Sequence, residues 1–296
     1  MATIIGPGGS SMSLSPKTIT VFLDASPSGK KRAAHAAALA QRWGAHLVGV
    51  DVVFAAVVLP ASMSYARGDE AFRQVSAYAR QLDADAQAAA AQVSEHFRAL
   101  CAKLNVSGEF RRIGRDHSEE EAIRIALHSD LVVVGHPEPH GLPDFLSVEK
   151  LLLTSGAPLL IVPNSWEGET IGNKILIGWN ATREARRAVA DAMAFLVAAK
   201  SVTVLVIDPD DEHRQGEDSG SDIALNLDWH GAHVDVEHVS SRGYSIPAVL
   251  LGYAEHSKSD LLVVGAYSHA RLKELLFGGT TRTLLANTPM PTLMSR

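Results

Sequence analysis

The 296-residue chain contains one series of segments twice. Each series begins with an apolar run that ends in a short polar turn, continues with Ser-Asp, four apolar residues and a glycine, and closes with a short run after a proline. Three matched segments in the same order indicate a duplicated structural unit. The pairs are 18–26 with 173–182, 129–135 with 259–265, and 155–163 with 287–295. We therefore expect a tail over 1–16, a first domain over 17–163, a linker over 164–173 and a second domain over 174–296.

The apolar runs within each copy are typical of strands in a parallel sheet. Such strands are buried on both faces, so they are apolar throughout, and segments with helical spacing separate them here. Each copy therefore predicts a five-stranded, doubly wound α/β unit of the Rossmann type, with helices on both faces of a parallel sheet. The predicted strands are 19–23, 46–53, 108–113, 131–134, 159–162, 174–178, 202–206, 233–238, 261–264 and 292–294. The predicted helices are 30–43, 70–104, 119–127, one more before the fifth strand, 183–199, 222–229, 246–256 and 281–286.

The first copy is the longer one. Between Asp24 and Gly135 it holds 26 residues more than the second copy holds between Asn180 and Gly265. The extra residues fall within 58–104, where the spacing of apolar residues predicts a loop followed by an elongated amphipathic helix. This segment is either a lid or interaction surface, or a longer surface helix with no special role.

The composition indicates a globular protein from a reducing compartment. Hydrophobic residues make up 46% of the chain and the formal net charge is −6, so no basic excess points to nucleic acid. The single cysteine, Cys101, excludes an internal disulfide framework. The start of the chain has no secretory signal pattern, and the apolar stretch 47–61 is too short and contains Asp51. We expect a cytoplasmic protein that binds neither nucleic acid nor membranes.

A glycine-rich turn in the second copy is the main candidate for chemistry. Ligands of open parallel sheets bind beyond the carboxyl ends of the strands where the strand order reverses, which predicts that Asn180 lies beside the loop after Gly265. The pair 278–279 can bring backbone N–H groups close to a ligand, and a helix that begins at 280 or 281 offers free amides to phosphate. A capped strand-to-helix connection would use the same residue types, so both interpretations stay open. Nearby positive charge comes from Arg271, Lys273 and Arg282.

On these residues, both copies resemble the universal stress protein family, and the tandem arrangement is similar to its fused two-domain members. The family fingerprint is a glycine, two residues, a glycine, nine residues, then Gly followed by Ser or Thr. Gly265, Ser268 and Gly278 stand at its glycine positions here, and Gly279 stands at its Ser/Thr position. The ending ANTPMPTLM also looks like the closing Pro-x-Pro and last strand of the family.

The resemblance implies two tandem adenine nucleotide alpha hydrolase-like domains and, for members with the full fingerprint, ATP binding. The implied contact residues are Asn180, Val206, Gly265, Ser268, Gly278, Gly279, Thr280 and Thr281. Three of them depart from the family pattern: Asn180 replaces an acid, Ser268 replaces a glycine and Gly279 replaces a hydroxyl residue. An asparagine can still hydrogen-bond a hydroxyl group or a base edge.

The first copy keeps less of this pattern. Asp24 and Gly135 are present, but Phe145 aligns with Gly278 and Leu146 with Gly279 when the prolines before the last strands are matched. Bulky apolar groups and prolines cannot form a cradle of amides. We therefore predict that the first copy binds no nucleotide in this way and serves as a structural partner.

A metal site is a further possibility that the residues only weakly favour. His136, Glu138 and His140 alternate along one segment, but prolines lie between them and no third convergent ligand is evident. We predict no metal site and no catalytic residue.

The resemblance implies a non-catalytic stress-response protein. We expect its fused units to pack as an intramolecular pseudo-dimer, while association of two chains stays open. The apolar last strands, 159–162 and 292–294, are expected to pair with each other. ATP is expected in the second copy only. A ligand-free interaction module is one alternative. A weak nucleotide hydrolase is another, and the lack of a general base or metal-binding carboxylate at the second cleft disfavours it.

Overall fold

A computed structural model describes residues 15–52, 69–114, 118–136, 146–208, 220–266 and 279–296. Within these ranges the chain forms ten strands and nine helices, and strands alternate with helices through both copies. Five positions singled out in the sequence lie outside the described residues: Glu138, His140, Phe145, Ser268 and Gly278.

The N-terminal repeat follows the predicted α/β order. Its strands are β1 (Thr18–Leu23), β2 (His46–Val52), β3 (Gly108–Ile113), β4 (Leu131–Gly135) and β5 (Leu159–Val162). Its helices are α1 (Pro27–Trp43), α2 (Asp69–Leu104), α3 (Ser118–Leu127) and α4 (Val148–Thr154).

The C-terminal repeat has the same order of elements. Its strands are β6 (Lys174–Trp179), β7 (Ser201–Ile207), β8 (Val234–Val239), β9 (Leu261–Gly265) and β10 (Thr292–Ser295). Its helices are α5 (Arg183–Asp191), α6 (Met193–Leu196), α7 (Ser221–Trp229), α8 (Ile246–Ser257) and α9 (Gly279–Asn287).

All ten strands belong to one sheet, in the order β3-β2-β1-β4-β5-β10-β9-β6-β7-β8. Neighbouring strands are parallel within each repeat, and β5 pairs with β10 in the antiparallel direction. The prediction that the last strands of the two copies pair is thereby confirmed. The two half-sheets join into one because each last strand would otherwise leave a row of backbone N–H and C=O groups without partners.

Helices cover both faces of the sheet and enclose two apolar clusters. One cluster lies under α1, α2, α5, α6 and α7, and the other lies under α3, α4, α8 and α9. Trp166, in the segment between the repeats, packs against both clusters. Lys31 of α1 donates to Glu167 of the same segment at 2.6 Å. The segment between the repeats is therefore packed against the fold.

The helix predicted over 183–199 is shorter than expected. It ends at Asp191, and Ala192 has φ −84° and ψ −3° before α6 begins. The change of direction accompanies a contact between the repeats, in which Phe195 meets Trp43 edge-to-face with ring centroids 4.7 Å apart. The alanine-rich sequence favours a continuous helix, but burial of this aromatic side chain in the interface prevails.

The elongated helix predicted in the first copy is present as α2. Its second half carries the buried residues Val93, Phe97 and Cys101, which pack into the cluster beside β2. Burial raises the pKa of the Cys101 thiol. No helix among the described residues is both long and apolar enough to cross a membrane.

The seam between the repeats gives a first prediction. Leu293 of β10 lies opposite Leu160 of β5, and both side chains are fully buried. Leu293→Ala should lower the free energy of unfolding by about 3 kcal/mol because it leaves a cavity in the seam. Leu225→Ala, at a side chain that is 49% exposed, is the matched control and should cost less than about 0.5 kcal/mol. Urea unfolding measures both, and equal losses would contradict the buried seam.

Candidate functional site

The carboxyl ends of β6 and β9 form a crevice in the C-terminal repeat. The two strands are parallel neighbours, with Gly178 beside Val264. From β6 the chain runs outward to β7 and β8, then returns to β9 on the other side of β6. The strand order therefore reverses between β6 and β9, where doubly wound sheets bind their ligands. The prediction that the first and fourth strands of a copy end together is confirmed.

Asn180 follows β6 directly and lies at this crevice. Ala181 after it has φ 53°, a left-handed conformation that turns the chain sharply before α5. The Thr182 hydroxyl donates to Asn180 Oδ1 at 2.7 Å and accepts from the Ala185 N–H at 3.3 Å. Thr182 is thus the N-cap of α5, and Asn180 is held against the start of that helix.

Gly265 ends β9 and meets the first turn of α5. A Cβ atom at this position would lie 2.3 Å from Ala185 N and 2.4 Å from the Glu184 carbonyl carbon. Both neighbours are backbone atoms, so they cannot move without shifting the helix. Glycine is required here because β9 and α5 approach each other at backbone distance.

The helix α9 lies in the connection that leaves the carboxyl end of β9 and returns to the parallel strand β10. It begins at Gly279, before the predicted start, and Gly279 and Thr280 are exposed while Thr281 is buried. A Cβ at Gly279 would meet no atom of the described residues within 4 Å. The first N–H groups of a helix have no intrahelical partner, so this exposed end suits an anion.

Val206 lies on the strand next to β6, on the side away from β9. It is inside β7, paired with Trp179 on one side and His238 on the other, and its side chain is fully buried. At the strand end Asp208 accepts from the Ser241 N–H at 2.8 Å, and this backbone hydrogen bond lowers the pKa of the Asp208 carboxyl. Asp208 is a residue of this edge that the motif comparison missed, although an acid directly after an apolar strand was a visible signal.

Glu184 is a second residue that the sequence interpretation missed. Its side chain lies in the first turn of α5, the residue is 8% exposed, and the carboxylate accepts from Arg183 Nη2 at 3.0 Å. The expectation that no general base or metal-binding carboxylate stands at the second cleft stays a prediction. The buried positions 184, 185, 188 and 189 follow helical spacing, so periodicity alone places Glu184 on the inner face of α5.

Comparison with known proteins identifies the family that the C-terminal repeat matches. Residues 173–296 match the model of the Universal stress protein family. The C-terminal repeat is a universal stress protein domain. No curated protein sequence matches the chain significantly.

Solved structures extend the likeness to the whole chain at the level of fold. A universal stress protein from Archaeoglobus fulgidus DSM 4304 is 14% identical, with TM-score 0.65 over 94% of this chain and 96% of that chain. A functionally unknown protein from Pseudomonas aeruginosa PAO1 is 17% identical, with TM-score 0.55 over 97% and 94%. A candidate universal stress protein from Pseudomonas aeruginosa UCBPP-PA14 is 16% identical, with TM-score 0.54 over 96% and 94%. The N-terminal repeat thus shares the fold of tandem universal stress proteins.

The matching crevice of the N-terminal repeat contains a buried ion pair. Asp24 stands where the universal stress protein domain has Asn180, and it is paired with Arg32 of α1. Arg32 is 1% exposed, and its Nε also donates to the Phe22 carbonyl at 3.0 Å. Burial lowers the pKa of Arg32, and the charge of Asp24 opposes that shift. The second Asp24 oxygen accepts from the Ser26 N–H at 2.8 Å, so each carboxylate oxygen has a donor.

A small cavity lies beside Asp24 at the end of β1. The cavity beside Asp24 is only about 10 Å³, room for one water molecule, and Val93 and Phe97 of α2 line it. Leu146, which aligns with Gly279, is fully buried. The universal stress protein domain has Ala188 where this repeat has Arg32, by the offset that relates Asp24 to Asn180.

The close approach at Gly265 yields a second prediction. Gly265→Ala should destabilise the protein by about 2–3 kcal/mol because the methyl group collides with the α5 backbone. Gly279→Ala is the control, since its methyl group enters open space, and its stability should stay within about 0.5 kcal/mol of wild type. Thermal unfolding of both variants measures the contrast, and a harmless Gly265→Ala would refute it.

The buried pair at Asp24 yields a third prediction. Asp24→Asn leaves Arg32 buried without a counter-charge and should cost about 3–5 kcal/mol. Adding Arg32→Met should restore most of that loss, because the guanidinium charge is then removed as well. Glu167→Gln breaks the exposed pair with Lys31 on the same helix and should cost less than about 1 kcal/mol. A double-mutant cycle in urea measures the coupling, and additive losses would contradict it.

Proposed function

We propose that the C-terminal universal stress protein domain binds an adenine nucleotide, with ATP as the expected ligand, and that the N-terminal repeat binds none. The observation that carries the proposal is the contrast between the two crevices. The C-terminal repeat has Gly265 at the end of β9 and an exposed helix start, whereas the N-terminal repeat has a buried arginine paired with Asp24 and a buried leucine at the position aligned with Gly279. The contact residues proposed are Asn180, Val206, Gly265, Ser268, Gly278, Gly279, Thr280 and Thr281.

The start of α9 is suited to the phosphates. The N–H groups of its first turn and the positive end of its dipole attract anions, and exposed Thr280 adds a hydroxyl donor. Gly279 lets a phosphate approach the backbone, because glycine has no side chain of its own. Asn180 on the neighbouring strand then faces the nucleoside part of the ligand.

The N-terminal repeat acts as a structural partner in this proposal. The buried Asp24–Arg32 pair occupies the place at which a ligand would meet the first strand. We infer domain bounds of 17–163 and 174–296, joined by the linker 164–173. We also infer a cytoplasmic protein with a non-catalytic role in the stress response. The antiparallel seam makes the two repeats an intramolecular pseudo-dimer.

A weak nucleotide hydrolase is a second candidate, since Glu184 supplies a largely buried carboxylate in the first turn of α5, the turn whose backbone meets Gly265. Its pairing with Arg183 leaves it less available as a base. Phosphate release from ATP that disappears in Glu184→Gln, with nucleotide binding unchanged, would favour the hydrolase over the non-catalytic role.

Calorimetric titration with ATP and ADP tests the proposal. Wild type should bind one nucleotide per chain, because only one crevice has an accessible helix start. Gly279→Val should weaken binding by about tenfold or more, a loss of about 1.4 kcal/mol, since the side chain fills the approach to α9. Thr283→Val, one turn further along the exposed side of α9, is the control and should bind as wild type does.

Three results would contradict the proposal. Absence of heat with either nucleotide would favour a ligand-free interaction module. Two sites per chain would show that the N-terminal crevice is open. Equal binding by wild type and Gly279→Val would move the site away from α9.

A further inference from the structure

The helix α7 has an apolar face that is exposed. Ile223 and Leu227 are buried against the sheet, whereas Leu225 is 49% exposed and Trp229, one turn later, is 75% exposed. A large aromatic side chain contributes its hydrophobic free energy only when it is buried, and tryptophan is enriched among the residues that dominate protein interfaces. The outer face of α7 is therefore a surface on which another chain can dock.

The strand beneath α7 is a free edge of the sheet. β8 is the last strand of the sheet that the described residues form, and β3 is the first, so each has a partner strand on one side only. The helix α7 packs on β8, and α2 packs on β3. An unpaired edge is a template for pairing with another chain. We call residues 221–239 the β8 edge and residues 86–113 the β3 edge.

The two edges carry opposite charge. With histidine counted as neutral, the β8 edge has four carboxylates and no lysine or arginine, a formal charge of −4. The β3 edge has four cationic side chains against two carboxylates, a formal charge of +2. The exposed charges that matter most are Asp222, Asp228, Asp235 and Glu237 on the β8 edge, and Arg98 and Arg111 on the β3 edge.

Charge decides which edges of two copies can meet. Asp235 and Glu237 lie on one face of β8, so pairing with the β8 edge of a second copy would place acid opposite acid, which is destabilising. Pairing with the β3 edge of a second copy would place these acids beside Arg98 and Arg111 instead. The page of charges therefore favours contact between unlike edges.

The topology allows such a contact without any change in the chain. Because β5 and β10 are antiparallel, β3 and β8 run in opposite directions in one molecule. A second copy placed further along the sheet therefore continues it with an antiparallel pair, as β5 and β10 already do. In that arrangement α7 lies beside the α2 of the second copy, on the same face of the sheet. Packed helices are about 8–10 Å apart, within reach of the Trp229 side chain.

We propose that the exposed face of α7 and the β8 edge dock on the β3 edge of a second copy, so that the chains associate head to tail. A head-to-tail contact leaves one edge free at each end, so association continues beyond a dimer. The contact is weak and salt-sensitive, because its charges are exposed. It does not depend on the proposed nucleotide site.

Sedimentation of the full chain tests this association. The weight-average mass of wild type should rise about twofold or more between about 1 µM and about 100 µM protein, and about 0.5 M salt should reverse much of the rise. Trp229→Ala should lower the association constant about tenfold, since it removes the apolar anchor. Val197→Ala is the control, because this side chain is also exposed, at 41%, but lies on neither edge, and it should associate as wild type does.

Exchange of charge between the edges gives a stricter test. One variant carries Asp235→Lys with Glu237→Lys, so both of its edges are positive, and the other carries Arg98→Glu with Arg111→Glu, so its β3 edge becomes negative. Each variant alone should stay monomeric at about 100 µM, because its own edges now repel. An equimolar mixture should associate again, since the positive edges of one meet the negative edges of the other. Circular dichroism confirms beforehand that both variants are folded.

Three results would overturn the proposal. Wild type that stays monomeric at about 100 µM would show that the edges do not pair. A closed dimer that does not grow with concentration would show that like surfaces meet. A mixture of the two charge variants that stays monomeric would show that the charges do not direct the contact.

Discussion

The antiparallel pairing of β5 with β10 is the interaction on which the rest of the structure depends. Each repeat is a parallel half-sheet with an unpaired apolar last strand, and pairing the two satisfies both rows of backbone groups. Because the strands within each repeat are parallel, the antiparallel seam puts the carboxyl ends of the two halves at opposite edges of the sheet. The two crevices are therefore separate, and each can change without disturbing the other.

That separation is consistent with how far the two crevices have diverged. At the position after the first strand one repeat has Asp24 with a buried arginine, and the other has Asn180 held by a threonine hydroxyl. At the helix start one has buried Leu146 and the other has exposed Gly279. A few side chains of different size and charge thus distinguish the two crevices, while the sheet stays common to both.

Much of the fold was predictable because the signals were local. The strands over 108–113 and 159–162 were predicted at their observed bounds, the second from an apolar run. The helix over 183–199 was not, since helix propensity carries no information about the docking of Phe195 on Trp43 from the other repeat. Motif spacing also identified Asn180 and Gly265 at one crevice. It missed Glu184, because burial of that side chain depends on tertiary packing.

The sequence by itself determined the duplication, the parallel order of each half and the places where glycine interrupts the strand-to-helix connections. These follow from composition and periodicity, which act over a few residues. Only the tertiary structure decided that Asp24 has a buried arginine partner and that Oδ1 of Asn180 faces the Thr182 hydroxyl. Both depend on contacts between residues on different elements, such as Arg32 with Asp24, and on the direction in which a hydroxyl proton is shared. Burial and hydrogen-bond direction are properties of neighbours in space, so no stretch of sequence specifies them alone.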